Sequence, residues 1–256
     1  MSPAQLASER RRGRLVAVAT IVSAIAFAAG AYWYQFATAD QPSENKADIL
    51  RFFHAHSGEL LAASLLQAFG MLLMVAPAVH LYLAAKARNP DQTRVVLAAG
   101  IFGPIGFALT LIVRSVALTV LSGDFVDRSS QTLAAARHAF DSPALTVSDV
   151  FGVTGAIALG FWLVKGSLDA MRIGLLTRLM GVVGVALGPA LVLGFGLLVL
   201  PLWLIALGVM FAGYWPRGMP PAWVIGEAVP WQGPEELRED APPLEADAKR
   251  NGARQG

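Results

Sequence analysis

The stretch from Val95 to Leu121 constrains this chain most, because it is apolar, long enough to cross a bilayer, and carries one charge, Arg114, well inside it. A helix over it, rising about 1.5 Å per residue, more than covers the roughly 30 Å of hydrocarbon in a membrane. The rest of the chain repeats that character. With 55% hydrophobic and only 15% charged residues, the composition belongs to a membrane protein rather than to one or two soluble domains. The net charge of +2 is spread over the ends of apolar runs, with no recognition helix and no continuous basic stripe, which argues against nucleic acid as a partner. The absence of cysteine excludes disulfides, thiolate ligands and a thiol nucleophile.

In chain order, Arg10, Arg11, Arg12 and Arg14 precede an apolar run over 15–37 that ends in Tyr32, Trp33 and Tyr34. A basic start before an apolar run also describes a signal peptide, but the apolar core of a signal is roughly 7–15 residues long and lacks an interfacial aromatic cluster, so a retained first helix is the preferred reading. Ala47 to His56 predicts a short interfacial helix. A second span follows over 59–84, with Ser57 and Glu59 at its capping end and Pro77 inside. The third, 95–121, holds Gly100, Gly103, Pro104 and Gly106 in one half and Arg114 in the other. Ser129 to Phe140 reads as another interfacial helix, and 145–168 as a fourth span bearing Asp149. Leu179 to Tyr214 has no charge; it is too long for one crossing and short for two. It is split into helices over 175–193 and 197–214, with a re-entrant pair as the other reading. Residues 216–256 are proline-rich, with an acidic cluster from Glu235 to Asp240, and cannot bury enough apolar surface to fold alone. Trp223 and Trp231 would hold the start of this tail against the membrane or the bundle.

The expected fold is thus an all-α membrane protein, a bundle of about six transmembrane helices over 15–215 with short outer interfacial helices, a basic N-terminus (1–14) and a largely disordered tail. Fifteen Lys and Arg residues fall on the side of both termini and four in the outer loops, or ten against four without the tail, so both termini are expected to be cytoplasmic. A cleaved first segment would leave five helices in the same orientation.

Arg114 is the sharpest chemical feature, since an intramembrane charge normally faces a partner or a water-filled cavity. Asp149 enters the same outer half from the next, antiparallel span, with Glu59 as a third possible member of an ion-pair or ligand site. The plainer reading is a snorkelling arginine or a helix-locking pair; the sharper one is a ligand or ion site. Gln67 and Ser64 are polar residues mid-span, read as bonded across helices or, less often, as cavity lining. A metal site is the weaker option: His54 and His56 fall on different helix faces, whereas His138 and Asp141 share one, and no spacing matches a zinc-enzyme motif. No catalytic residue, metal or other cofactor is assigned. Gly181, Gly184 and Gly188, like Gly152, Gly155 and Gly160, suit close helix packing rather than phosphate binding.

The segments FFHAHSGELLAASLLQAFGMLLMVAPAVHLYLAAKAR, MRIGLLTRLMGVVGVALG and GYWPRGMPPAWVIGEAVPW resemble a group of uncharacterised bacterial multi-pass membrane proteins of the domain-of-unknown-function type. The resemblance implies a bacterial plasma-membrane protein and no activity that transfers residue by residue. Three functions are ranked. First stands a non-enzymatic accessory or interaction protein whose tail recruits a protein partner, then a small-solute or ion transporter or ligand sensor using Arg114 and Asp149, and last an outer-face metal-dependent enzyme. The lipid bilayer is the one partner common to all.

Overall fold

The computed structural model describes residues 3–42, 45–216 and 218–230. Its elements are all helical: α1 (Pro3–Ala37), α2 (Lys46–Ala55), α3 (Ser57–Leu73), α4 (Val75–Arg88), α5 (Arg94–Arg128), α6 (Leu133–Phe140), α7 (Pro143–Arg172), α8 (Arg178–Val192), α9 (Leu200–Phe211) and α10 (Pro221–Ile225). One 3-10 turn, Gly196–Leu198, leads into α9. Trp231 and the acidic cluster from Glu235 to Asp240 lie outside the described residues.

Among the described residues, side-chain caps set the starts of five helices. Asn45 accepts from the Ala47 N–H, and Thr93, Thr132, Ser142 and Thr177 cap α5, α6, α7 and α8. Ser57 does not cap α3. It is already helical, because the last turn of α2 runs straight on: the His56 N–H bonds Phe52 O and the Leu60 N–H bonds His56 O, which leaves no extended residue for a cap. Pro77 acts one turn upstream of itself. It cannot donate to the carbonyl four residues back and crowds it, so the backbone tightens at Met74, whose N–H goes to Met71 O at 3.1 Å, and α3 gives way to α4. The polar residues after Leu121 extend α5 instead of leaving it, held by an Arg128–Asp124 pair at 2.8 Å and by Phe125 packing with Ala47, Leu50 and Ala136. The next helix accordingly begins at Leu133, not Ser129.

Among the described residues, four helical segments are long and apolar enough to cross a membrane: α1, α3 together with α4, α5 and α7. α8 and α9 have 15 and 12 residues and, at about 1.5 Å per residue, each is shorter than roughly 30 Å of hydrocarbon. Of the six spans read from the sequence, four meet the length requirement, and the other two correspond to the shorter apolar helices over 178–192 and 196–211. On α7, Val150, Val153, Ile157 and Phe161 recur at helical spacing and are each more than a third exposed, a stripe suited to lipid tails.

Glycines let the backbones meet. α5 and α7 run antiparallel, and a Cβ at Gly103 would lie 2.6 Å from Leu159 N, while Gly106 sits against Gly155. Gly160 meets Gly188 between α7 and α8, and Gly208 of α9 meets Ala17 and Ile21 of α1. Gly70 of α3 lies on α1, where Ser23 Oγ donates to Gly70 O at 2.6 Å. Trp203 Nε1 donates to Met180 O at 3.0 Å, and its ring meets Trp162 edge-on in the core.

At the end where α1 begins, the chain closes on itself. Trp223 of α10 donates through Nε1 to Leu175 O at 2.8 Å, and the Val229 N–H bonds Ile173 O at 3.1 Å. Arg88 is the joint of that end: both Nη atoms reach the Glu9 carboxylate at 2.9 Å, Nη1 also donates to Ala84 O, Nε donates to Ala222 O, and the guanidinium lies over the Trp223 ring. One side chain therefore ties α1, α4 and α10.

Gly103→Ala is expected to force α5 from α7 and to destabilise the protein by about 1–3 kcal/mol. Gly123→Ala, whose added methyl meets nothing within 4 Å, should be neutral or stabilising by up to about 1 kcal/mol. Thermal unfolding of both variants in the same detergent checks this; equal melting temperatures would refute the packing argument.

Candidate functional site

Toward the opposite end of the bundle, α1, α2, α3 and α5 enclose a cavity of about 210 Å³. Helical spacing builds its walls. Ser57, Leu60, Ser64 and Gln67 recur at three- and four-residue steps on α3; Leu111, Arg114, Ser115, Leu118 and Thr119 do so on α5; Tyr34 and Phe53 complete it. Gly30 lets α1 lie close against α3 beside Gln67, because a Cβ there would stand 2.7 Å from Ala63 O and from Gln67 N.

Gln67 is only 8% exposed, and among the described residues its amide has no hydrogen-bond partner; the nearby Ser64 hydroxyl has none either. An amide withdrawn from bulk water without a protein partner costs free energy unless something in the cavity bonds it. The space suffices for several waters or a small solute. Arg114 adds charge to the same wall. Its Nη1 donates to Asp149 Oδ1 at 3.0 Å in a single contact, which leaves most of its five N–H donors free.

Of the residues singled out in the sequence, Arg114 and Gln67 thus share the cavity, Asp149 holds Arg114 from α7 without lining it, and Glu59 is exposed elsewhere on α3. Because α5 continues to Arg128, Arg114 lies about 21 Å from its helix end, by ~1.5 Å per residue, rather than the ~10 Å implied by an end at Leu121. α2 and α6 do meet, through Ala47, Leu50 and Ala136, but His54, His138 and Asp141 are exposed and His56 stacks on Phe52 with Nδ1 at 3.0 Å from Phe52 O. Among the described residues no group of three or more His, Asp or Glu comes close enough to hold a metal. The sequence marks Tyr34 only as part of an aromatic cluster at a helix end and Ser57 only as a cap, and it does not mark Ser115 or Thr119. The i, i+3, i+7 step from Ser57 through Leu60 to Ser64, continuing to Gln67, was the available signal.

Fold and cavity together define a helical protein with several membrane-length apolar helices and, among them, a largely apolar pocket that carries polar side chains. The chain belongs to a family characterised by a domain of unknown function, DUF4386, whose model matches residues 13–200. That match takes in every residue lining the cavity and stops before the motif that starts at Gly213. No curated protein and no solved structure matches.

The two ion pairs should respond differently to loss of the acid. Arg88 has a fully buried side chain and Glu9 is 11% exposed, whereas Arg114 and Asp149 are 49% and 66% exposed. Glu9→Ala strands a buried charge and is expected to cost about 3–5 kcal/mol. Asp149→Ala leaves Arg114 free to turn to water and should cost at least about 2 kcal/mol less. Thermal melts of the two variants decide it; equal losses would overturn the distinction.

Proposed function

We propose that this chain is a membrane-embedded binding protein for a small polar solute, a transporter or ligand sensor, with the cavity between Arg114 and Gln67 as its site. The observation that carries this reading is Gln67, a residue only 8% exposed whose side chain has no hydrogen-bond partner among the described residues and lines open space. Unsatisfied polar groups in a membrane protein are rare outside water-lined or ligand-lined cavities. The lining favours a ligand rich in hydrogen-bond acceptors, which Arg114, Tyr34 and the serine hydroxyls would engage, with Asp149 fixing the direction of the guanidinium.

The proposed setting is the bacterial plasma membrane with both termini cytoplasmic. In support, ten Lys and Arg residues lie at the end where α1 begins and four at the other. In this orientation the cavity opens toward the outer half, and α8 with α9 supplies either two snug crossings or a re-entrant pair. An accessory protein recruiting a partner through its tail, residues 216–256, is the competing reading.

The cysteine-free chain provides the test. Single cysteines at Ser64 and Ser115 are expected to react with a small charged thiol reagent added outside intact cells, whereas one at Ala68, packed at 1% exposure away from the cavity, should stay protected. Protection at Ser64 and Ser115 equal to that at Ala68, in folded variants, would sink the solute site and leave the accessory reading.

A further inference from the structure

A second cavity, of about 400 Å³, lies at the end where α1 begins, among α1, α4, α9 and α10, and plays no part in the solute site above. Its rim carries Arg10 and Arg14, both exposed, and its inner side is His80, 8% exposed. The His80 ring stacks on Trp223 at 5.6 Å and meets Phe211 edge-on at 4.9 Å, so its position is set by packing. Its Nε2 is buried and has no hydrogen-bond partner among the described residues.

The charge balance of this cavity is positive. Glu9 also lines it, but both carboxylate oxygens are engaged by Arg88. Arg10 and Arg14 are one helical turn apart on the same face of α1, and neither has an acidic partner among the described residues. Like charges at that spacing repel, an arrangement that an anion between them would reverse. Guanidinium pairs suit a tetrahedral oxyanion, which offers several acceptors at once. The remaining wall is apolar, with Phe211, Trp223 and Met219, and matches the glycerol or carbon part of an ester rather than a bare hydrated ion.

We propose that this cavity binds a phosphate-bearing anion, with phosphoryl oxygens between Arg10 and Arg14 and His80 providing the buried hydrogen-bonding group on its inner side. Two sources carry that chemistry, the headgroup of an anionic phospholipid and a soluble phosphate ester. Basic pockets where helices end at the membrane surface are suited to the former.

The test uses the full chain. Stabilisation against heat is measured in detergent with inorganic phosphate or glycerol phosphate, and in vesicles of phosphatidylcholine with or without phosphatidylglycerol. Either the soluble anions or the phosphatidylglycerol vesicles should stabilise the wild type, and the arm that does so identifies the source. The effect should weaken roughly tenfold or more in apparent affinity in the Arg10→Gln/Arg14→Gln variant and in His80→Phe, the loss expected for a charge-assisted hydrogen bond. Arg11→Gln, a basic neighbour outside the cavity, should bind like wild type. No stabilisation in either arm overturns the proposal. So does an equal loss in Arg11→Gln, or a loss in the arginine variant with His80→Phe unchanged, since both describe attraction to a basic surface. Arg10 and Arg14 are exposed, so their variant folds and reports whatever His80→Phe does to stability.

Discussion

Helices in lipid gain little by hiding apolar side chains from one another, so this bundle depends on how closely its backbones approach. The contact that governs the rest is between α5 and α7, where Gly103 and Gly106 lie on Leu159 and Gly155 and no side chain separates the two helices. Their antiparallel register then carries Thr110 to Ser148, whose hydroxyls bond each other's backbone carbonyls, and Arg114 to Asp149. α8 joins this pair through Gly160 and Gly188, and α1 joins α3 through Gly70. Dispersion at short range thereby replaces the hydrophobic drive of a soluble core.

Polar groups are treated differently at the two ends of this dry middle. At the end where α1 begins, Arg88 is closed off: carboxylate, two carbonyls and an aromatic face use its donors and its charge. Such an arrangement offsets the desolvation of a buried ion, and it locks the start of α1 and the segment after Pro220 to the bundle. Toward the other end, Gln67 and Ser64 face open space with no partner among the described residues. The donors of Arg88 are used up by protein groups, whereas the side chains of Gln67 and Ser64 have none among the described residues, and it is beside these two that the structure leaves space.

The fold class was legible because its signals are local. Long apolar runs bounded by charge mark helices, and Thr93, Ser142 and Thr177 stand where side-chain oxygens can cap them. Boundaries were less legible where tertiary contact outweighs local polarity. Phe125, flanked by Asp124 and Asp127, is held in α5 by packing on α2 and α6, which no windowed reading of those residues contains. The effect of Pro77 was visible as a residue but not as a break at Met74, since the strain falls on the carbonyl one turn earlier.

Of the cavity, the sequence by itself determined that Arg114 and Gln67 are polar groups within apolar helices, because composition and position along a helix are properties of a single segment. Only the tertiary structure decided that they face one space, that Asp149 stands behind Arg114 and that Glu59 stands apart. Which helix faces which is settled by where glycines permit contact, and Gly30 brings α1 against α3 beside Gln67 from a helix far away in sequence. The joining of Glu9, Arg88 and Trp223 belongs to the same class: each residue looks ordinary in its own segment, and the fold alone removes water from among them.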